Sequence, residues 1–154
     1  MTTYYLDTSA LSKRYVQETG TVWIRTLIDP TASHTLLLAR ITMVELYSAL
    51  ARRRREGTVP IEDYAVATQA FAAHSATTYE FVELDPPVIE LAQTLLERHP
   101  LRAYDAIQLA SALVANKIIM SANLSALVFL SADDHLNIIA TAEGLMVDNP
   151  NLHI

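Results

Sequence analysis

The sequence predicts an α/β fold with a mainly parallel sheet, in one domain spanning residues 1–154. Three observations carry this. Segments rich in β-formers alternate with segments of helical period along the whole chain. Thr35–Ala39 reads TLLLA, a continuous apolar run of strand length, as in strands covered on both faces. At 154 residues, 51% hydrophobic and 18% charged, the chain fits one domain and can bury a full core.

The elements follow in order. Thr3–Leu6 is a strand of β-formers ending at Asp7, and Thr8 and Ser9 open a turn or helix. Gly20 breaks the chain; Val22, Trp23, Leu27 and Ile28 mark a helix that Pro30 ends. After the TLLLA strand, Thr42 and Glu45 stand in capping-box spacing at the head of a helix running to about Arg55 and stopping near Gly57. Ile61, Tyr64, Thr68, Phe71 and Ala72 continue a helical period. Phe81–Leu84 reads as a strand, and Asp85 with Pro86 forms an N-cap and first-turn pair. Val88, Leu91, Ala92, Leu95 and Leu96 form that helix's apolar face, and Pro100 ends it. Residues 103–116 are apolar nearly all round, which predicts a buried central helix. Residues 118–126 read equally as a loop or as an extension of it. Leu127–Leu130 is a strand, a helix covers about Asp133–Glu143, Gly144 stops it, and Leu145–Val147 is the last strand.

Composition narrows the chemistry. The chain has no Cys, so neither a disulfide framework nor a thiolate metal site is available. Its three glycines allow no phosphate loop, no GxGxxG turn and no GxSxG elbow. The five histidines lack HExxH spacing, which argues against a zinc hydrolase. No apolar run spans a bilayer and no signal peptide is visible, so a cytoplasmic location is the default expectation. The net charge of −6 argues against a generic nucleic-acid-binding surface, although Arg52–Arg55 form a local basic run.

Four acids stand in apolar contexts: Asp7 in LDTSAL, Glu45 in TMVELYSAL, Asp105 in LRAYDAIQLASAL and Asp133 in FLSADDHL. Buried carboxylates are rare without a partner, and unpaired ones are costly. With no Lys or Arg beside most of them, one shared divalent cation is the simplest partner. Asp7 and Asp133 follow strands, where ligands bind in open parallel sheets. Glu45 and Asp105 lie near helix starts. A hard cation such as Mg²⁺ or Mn²⁺ prefers oxygen ligands and relieves the repulsion among such acids. It also supports phosphodiester hydrolysis without Cys, catalytic His or a phosphate loop.

Each acid also has a plainer reading. Asp7 can cap a helix, Glu45 can complete the capping box, and Asp133 or its neighbour Asp134 can cap the last helix. Asp105 has the least structural excuse. Thr8, Ser9 and Ser131 can orient ligands through hydrogen bonds, or serve as turn and cap residues. Lys13, Arg14, Arg40 and Arg102 lie nearest the acids in sequence and are candidates to hold a substrate backbone.

Together these motifs resemble the PIN-domain nucleases, especially the VapC-like toxins of toxin–antitoxin systems, over essentially the whole chain. YLDTSALSKRY is similar to the family's first strand and leading acid (Asp7), and ITMVELYSAL to its Glu segment (Glu45). LRAYDAIQLASAL resembles its most distinctive motif and supplies Asp105. FLSADDHL resembles its strand-end segment, whose register selects Asp133 over Asp134, with Ser131 as the small hydroxyl residue. The resemblance implies a three-layer α/β/α domain with four to five strands. It implies an endoribonuclease dependent on Mg²⁺ or Mn²⁺, with these four acids as catalytic and metal-binding residues. It also implies an RNA substrate, a homodimer, and a cognate antitoxin occupying the active-site groove. Lys117–Leu127 departs from the family pattern in being longer than the usual connection.

Two other readings compete. A haloacid-dehalogenase-type phosphatase also places an Asp after its first strand, but needs a second Asp where this chain has Ser9. A non-catalytic PIN-like scaffold binding RNA or protein would leave four acids under repulsion without benefit.

Overall fold

The computed structural model describes residues 1–154. Five strands, β1 (Thr3–Leu6), β2 (Thr35–Ala39), β3 (Glu80–Val82), β4 (Val128–Leu130) and β5 (Met146–Asp148), form one sheet in the order β3-β2-β1-β4-β5. Every neighbouring pair is parallel. Seven α-helices accompany them: α1 (Thr8–Tyr15), α2 (Thr21–Leu27), α3 (Thr42–Arg55), α4 (Ile61–Thr77), α5 (Pro86–Arg98), α6 (Ala103–Ser121) and α7 (Asp134–Ala142).

Strand alternation sends side chains to two separate cores. Tyr5, Leu37, Ala39 and Phe129 face a cluster with Val88, Leu95, Leu109 and Leu136, from α5, α6 and α7. Leu6, Leu36, Leu38 and Leu130 face the other, with Leu11, Ile24, Leu46 and Phe71 from α1, α2, α3 and α4. The result is three layers, helices on both faces of a parallel sheet. That is why the central strands read as unbroken apolar runs.

The strand order fixes where a ligand can enter. The chain builds outward from β1 through β2 to β3, then crosses back to place β4 on the other side of β1. β1 and β4 therefore flank the point where the order reverses. In open α/β sheets the binding crevice lies there, beyond the carboxyl ends of the strands.

Several local expectations shift. The third strand is Glu80–Val82 rather than Phe81–Leu84, because it pairs in register with Leu37–Ala39. The last strand is Met146–Asp148 rather than Leu145–Val147, pairing with Val128–Leu130. The ambiguous stretch after residue 117 is helical to Ser121 and then turns through Asn123, at φ 58°. The Leu127 N–H donates to Asn116 Oδ1 at 3.0 Å, tying the turn's exit back to α6. The Thr42–Glu45 capping box does not form. Ile41 occupies the N-cap position without a side-chain cap, and both Thr42 and Glu45 are bonded instead by a distant amide, that of Gln108. No helix is long and apolar enough to cross a membrane.

Candidate active site

Asp7 sits directly beyond β1, and its N–H extends the ladder by donating to the Leu130 carbonyl at 3.1 Å. Its carboxylate is only 5% exposed. Oδ1 accepts from the Ala10 N–H at 2.9 Å, capping α1, and from the Ser9 hydroxyl at 2.7 Å. Oδ2 accepts from the Ser131 hydroxyl at 2.7 Å, across the switch point. No Lys or Arg pairs with it. Burial pushes its pKa up to about 6; the hydrogen bonds pull against this, and the charge of Asp105 adds to it.

Ser9 and Ser131 join the ends of β1 and β4. The Ala132 N–H donates to Ser9 Oγ at 2.9 Å, and the Asp133 N–H donates to Ser131 Oγ at 3.1 Å. Asn137, on α7, donates to the Ser131 carbonyl at 2.8 Å. The loop after β4 is therefore held by hydrogen bonds that converge on Asp7.

Asp133 caps α7, accepting from the Leu136 N–H at 3.1 Å. Asp134 lies one residue on and accepts from Asn149 at 2.7 Å. The capping reading thus falls on Asp133. Capping uses Oδ1 of Asp133 and leaves its second oxygen available.

Glu45 is half-buried, and burial raises its pKa, opposed by hydrogen bonds from Gln108 and Thr8 and reinforced by Asp7 and Asp105. Asp105 opens α6 and is also half-buried. Burial raises its pKa, with Arg102 opposing and Asp133 reinforcing. Arg102 Nε lies 3.6 Å from Asp105 Oδ2, but this arginine is 87% exposed and contributes little to holding the acid. The mutual charge effects link all four acids into one electrostatic unit. No group of three or more of them is drawn tightly enough to grip a single ion.

The basic residues divide. Lys13 is buried and bonded to Glu18 at 3.3 Å, and Arg53 holds the same carboxylate at 3.1 Å. Arg14 donates to the Tyr79 hydroxyl at 2.6 Å and contacts His74 at 3.2 Å. Both are bonded within the protein, although their sequence position made them candidates to hold a substrate backbone. Arg40 pairs with Glu83 on the surface and stacks over Phe81. Arg102 remains open beside the acids. A cavity of about 440 Å³ lies elsewhere, between α1, α2 and α4; Arg14, Arg25, Asp63 and His74 line it and none of the four acids does.

Sequence reasoning missed Gln108 and Asn137. Both are polar and buried on helices whose inner faces are mostly apolar, and that mismatch is the signal that singles them out.

The PIN domain family model matches residues 4–141. The chain belongs to the PIN domain family. Solved structures similar to this PIN domain include VapBC2 from Rickettsia felis bound to a promoter DNA fragment, at TM-score 0.64 and 12% identity, covering 96% of this chain and 98% of that one. VapC20 from Mycobacterium tuberculosis, a sarcin-ricin loop cleaving toxin, matches at TM-score 0.61 and 16% identity, covering 93% and 96%. VapBC-5 from the same organism, of the VapBC family of toxin–antitoxin systems, matches at TM-score 0.55 and 16% identity, covering 97% and 98%. At such identities the likeness speaks for the fold. No curated protein matches the sequence.

The donor set fits a hard divalent cation. The four acids supply only oxygen and the chain has no Cys; His135, near enough for its charge to act on Asp105, has its Nε2 bonded to the Pro100 carbonyl. Hard cations of this kind take oxygen ligands and keep part of their water shell. Asp7, buried and without a cationic side chain, gains most from such a partner.

Proposed function

We propose that this PIN domain is a divalent-cation-dependent endoribonuclease that hydrolyses RNA phosphodiester bonds and acts as the toxin of a toxin–antitoxin pair. The observation that carries this reading is Asp7. It is a buried carboxylate with no Lys or Arg partner, set at the sheet's switch point, and its charge and those of Glu45 and Asp105 act on one another, with Asp133 acting on Asp105. An arrangement this costly in the free protein fits one that is completed by a cation.

Asp7, Asp105, Asp133 and Glu45 would hold Mg²⁺ or Mn²⁺, directly or through water. When bound, the cation would polarise a phosphoryl oxygen and stabilise the charge that develops as the bond is cut. The protein's own groups supply orientation. Ser9 and Ser131 hold the Asp7 carboxylate at a fixed angle. The N–H of Leu136 fixes one oxygen of Asp133, and Gln108 fixes one oxygen of Glu45. Arg102, exposed next to Asp105, would meet a backbone phosphate.

The toxin assignment is supported by family membership and by likeness in fold to VapC20 and VapBC-5. It brings with it a cognate antitoxin, a homodimer and a cytoplasmic setting. The test is cleavage of a mixed RNA pool by purified protein with Mg²⁺ or Mn²⁺ and with EDTA, beside Asp105→Asn. Cutting that requires the metal and disappears in the variant supports the reading. A folded protein that neither cuts nor binds metal would instead be a scaffold for RNA or protein.

A further inference from the structure

Gln108 lies one turn beyond Asp105 on α6, and only 2% of it is exposed. Its side chain ties α6 to three other elements. Nε2 donates to Thr42 Oγ1 at 2.9 Å and to Glu45 Oε1 at 3.0 Å, both on α3. Thr8 Oγ1, on α1, stands 3.4 Å from the same nitrogen. Oε1 accepts from the Tyr5 hydroxyl of β1 at 2.8 Å. The carboxamide's two N–H groups are thus matched by two close acceptors and its oxygen by a donor.

Only one orientation of the amide suits these neighbours. Flipped, it would set its oxygen against the Glu45 carboxylate, acceptor against acceptor. The ionised Glu45 carboxylate, which can only accept, selects the orientation that gives it a donor, and the Tyr5 hydroxyl then donates to the oxygen on the other side.

We infer that Gln108 is a positioning residue: it pins Oε1 of Glu45 and so fixes which oxygen of that carboxylate is left for the divalent cation. This rests on the cation-dependent reading above. An unpinned glutamate at the rim of a crevice would sample several rotamers and lose that freedom on binding the ion. Gln108 removes the loss in advance. It also couples Asp105 to Glu45, since Gln108 shares a turn of α6 with Asp105 and bonds Glu45 on α3. Packing alone does not explain the residue. A buried amide carries a desolvation cost that Leu or Met would avoid.

The test is a double-mutant cycle on Mn²⁺ affinity, read by electron paramagnetic resonance of free Mn²⁺. It compares wild type, Gln108→Met, Glu45→Ala and the double variant, with thermal unfolding in EDTA followed in parallel. Gln108→Met should weaken Mn²⁺ binding about tenfold, as loss of a partner that orients a metal ligand typically does. In the Glu45→Ala background, where no side-chain oxygen remains to accept from Gln108, the same change should cost less than about twofold. Its effect on unfolding should be similar in both backgrounds.

Gln108→Asn guards against a misfolded Met variant. It keeps an amide in the core but withdraws it from Glu45, and a loss of comparable size is expected. Folded variants that bind Mn²⁺ within twofold of wild type overturn the inference. So does an equal loss in both backgrounds, which would make Gln108 a general packing residue. A wild type that binds no Mn²⁺ at all refutes the cation-dependent reading itself, and this inference with it.

Discussion

Asp7→Asn should make the metal-free protein more stable at neutral pH. The carboxylate is 5% exposed and has no cationic partner, and burial pushes its pKa from 3.8 to about 6. At about 1.4 kcal/mol per pH unit, that rise corresponds to about 3 kcal/mol of destabilisation when the group is ionised. The sign follows from proton linkage. Below about pH 4 both folded and unfolded chains carry the proton, and the cost is absent. Between about pH 4 and 6 the unfolded chain releases its proton first, so stability falls as pH rises, and above that window the full cost is present. Asparagine caps a helix as well as aspartate does, so the bond from Ala10 can survive. The Ser131 hydroxyl must reverse to accept from the new amide or lose its bond, a cost of about 1 kcal/mol. The net gain is about 2 kcal/mol, a rise of roughly 4–8 °C in Tm for a chain of this size. Urea unfolding in EDTA at pH 7.5 and at pH 4 reads it directly. The gain should be present at the higher pH and vanish at the lower, and saturating Mn²⁺ should restore the advantage to wild type. A variant less stable than wild type at pH 7.5, or a difference independent of pH, would refute the reasoning and make Asp7 chiefly a structural cap.

Two further predictions concern the scaffold and the substrate path. Gly20→Ala should be destabilising by about 3 kcal/mol or more in a thermal melt, since Gly20 has φ +84° and a Cβ there would lie 2.3 Å from the Pro150 carbonyl oxygen. A drop of under a degree in Tm would show that the segment after β5 yields easily. Arg102→Ala should leave stability unchanged, weaken RNA binding and lower the salt slope by about one, whereas Lys13→Ala should lower stability by removing the buried one of Glu18's two cationic partners and leave the salt slope alone. Filter binding across a salt series, beside a melt, would expose the reverse pattern.

Much of this architecture is legible in the chain itself. Strand Thr35–Ala39 needed only its apolar run, and α5 only Asp85-Pro86 and a periodic face; these depend on which side of an element is buried, a property that repeats every two or 3.6 residues. The four acids also stood out, because a carboxylate in an apolar setting violates a local rule. What the tertiary structure alone decided is which atoms meet. The capping box of Thr42 and Glu45 was a sound local expectation, yet an amide 63 residues from Glu45 took both groups. Lys13 and Arg14 stand near the acids in sequence, which made them candidates for a substrate backbone, and the fold bonds them to Glu18, Tyr79 and His74. Between two equivalent neighbours, Asp133 caps and Asp134 binds Asn149. Periodicity carries information about faces and not about partners. A hydrogen bond between residues tens of positions apart is chosen by how the helices dock on the sheet, and that docking exists only in the folded chain.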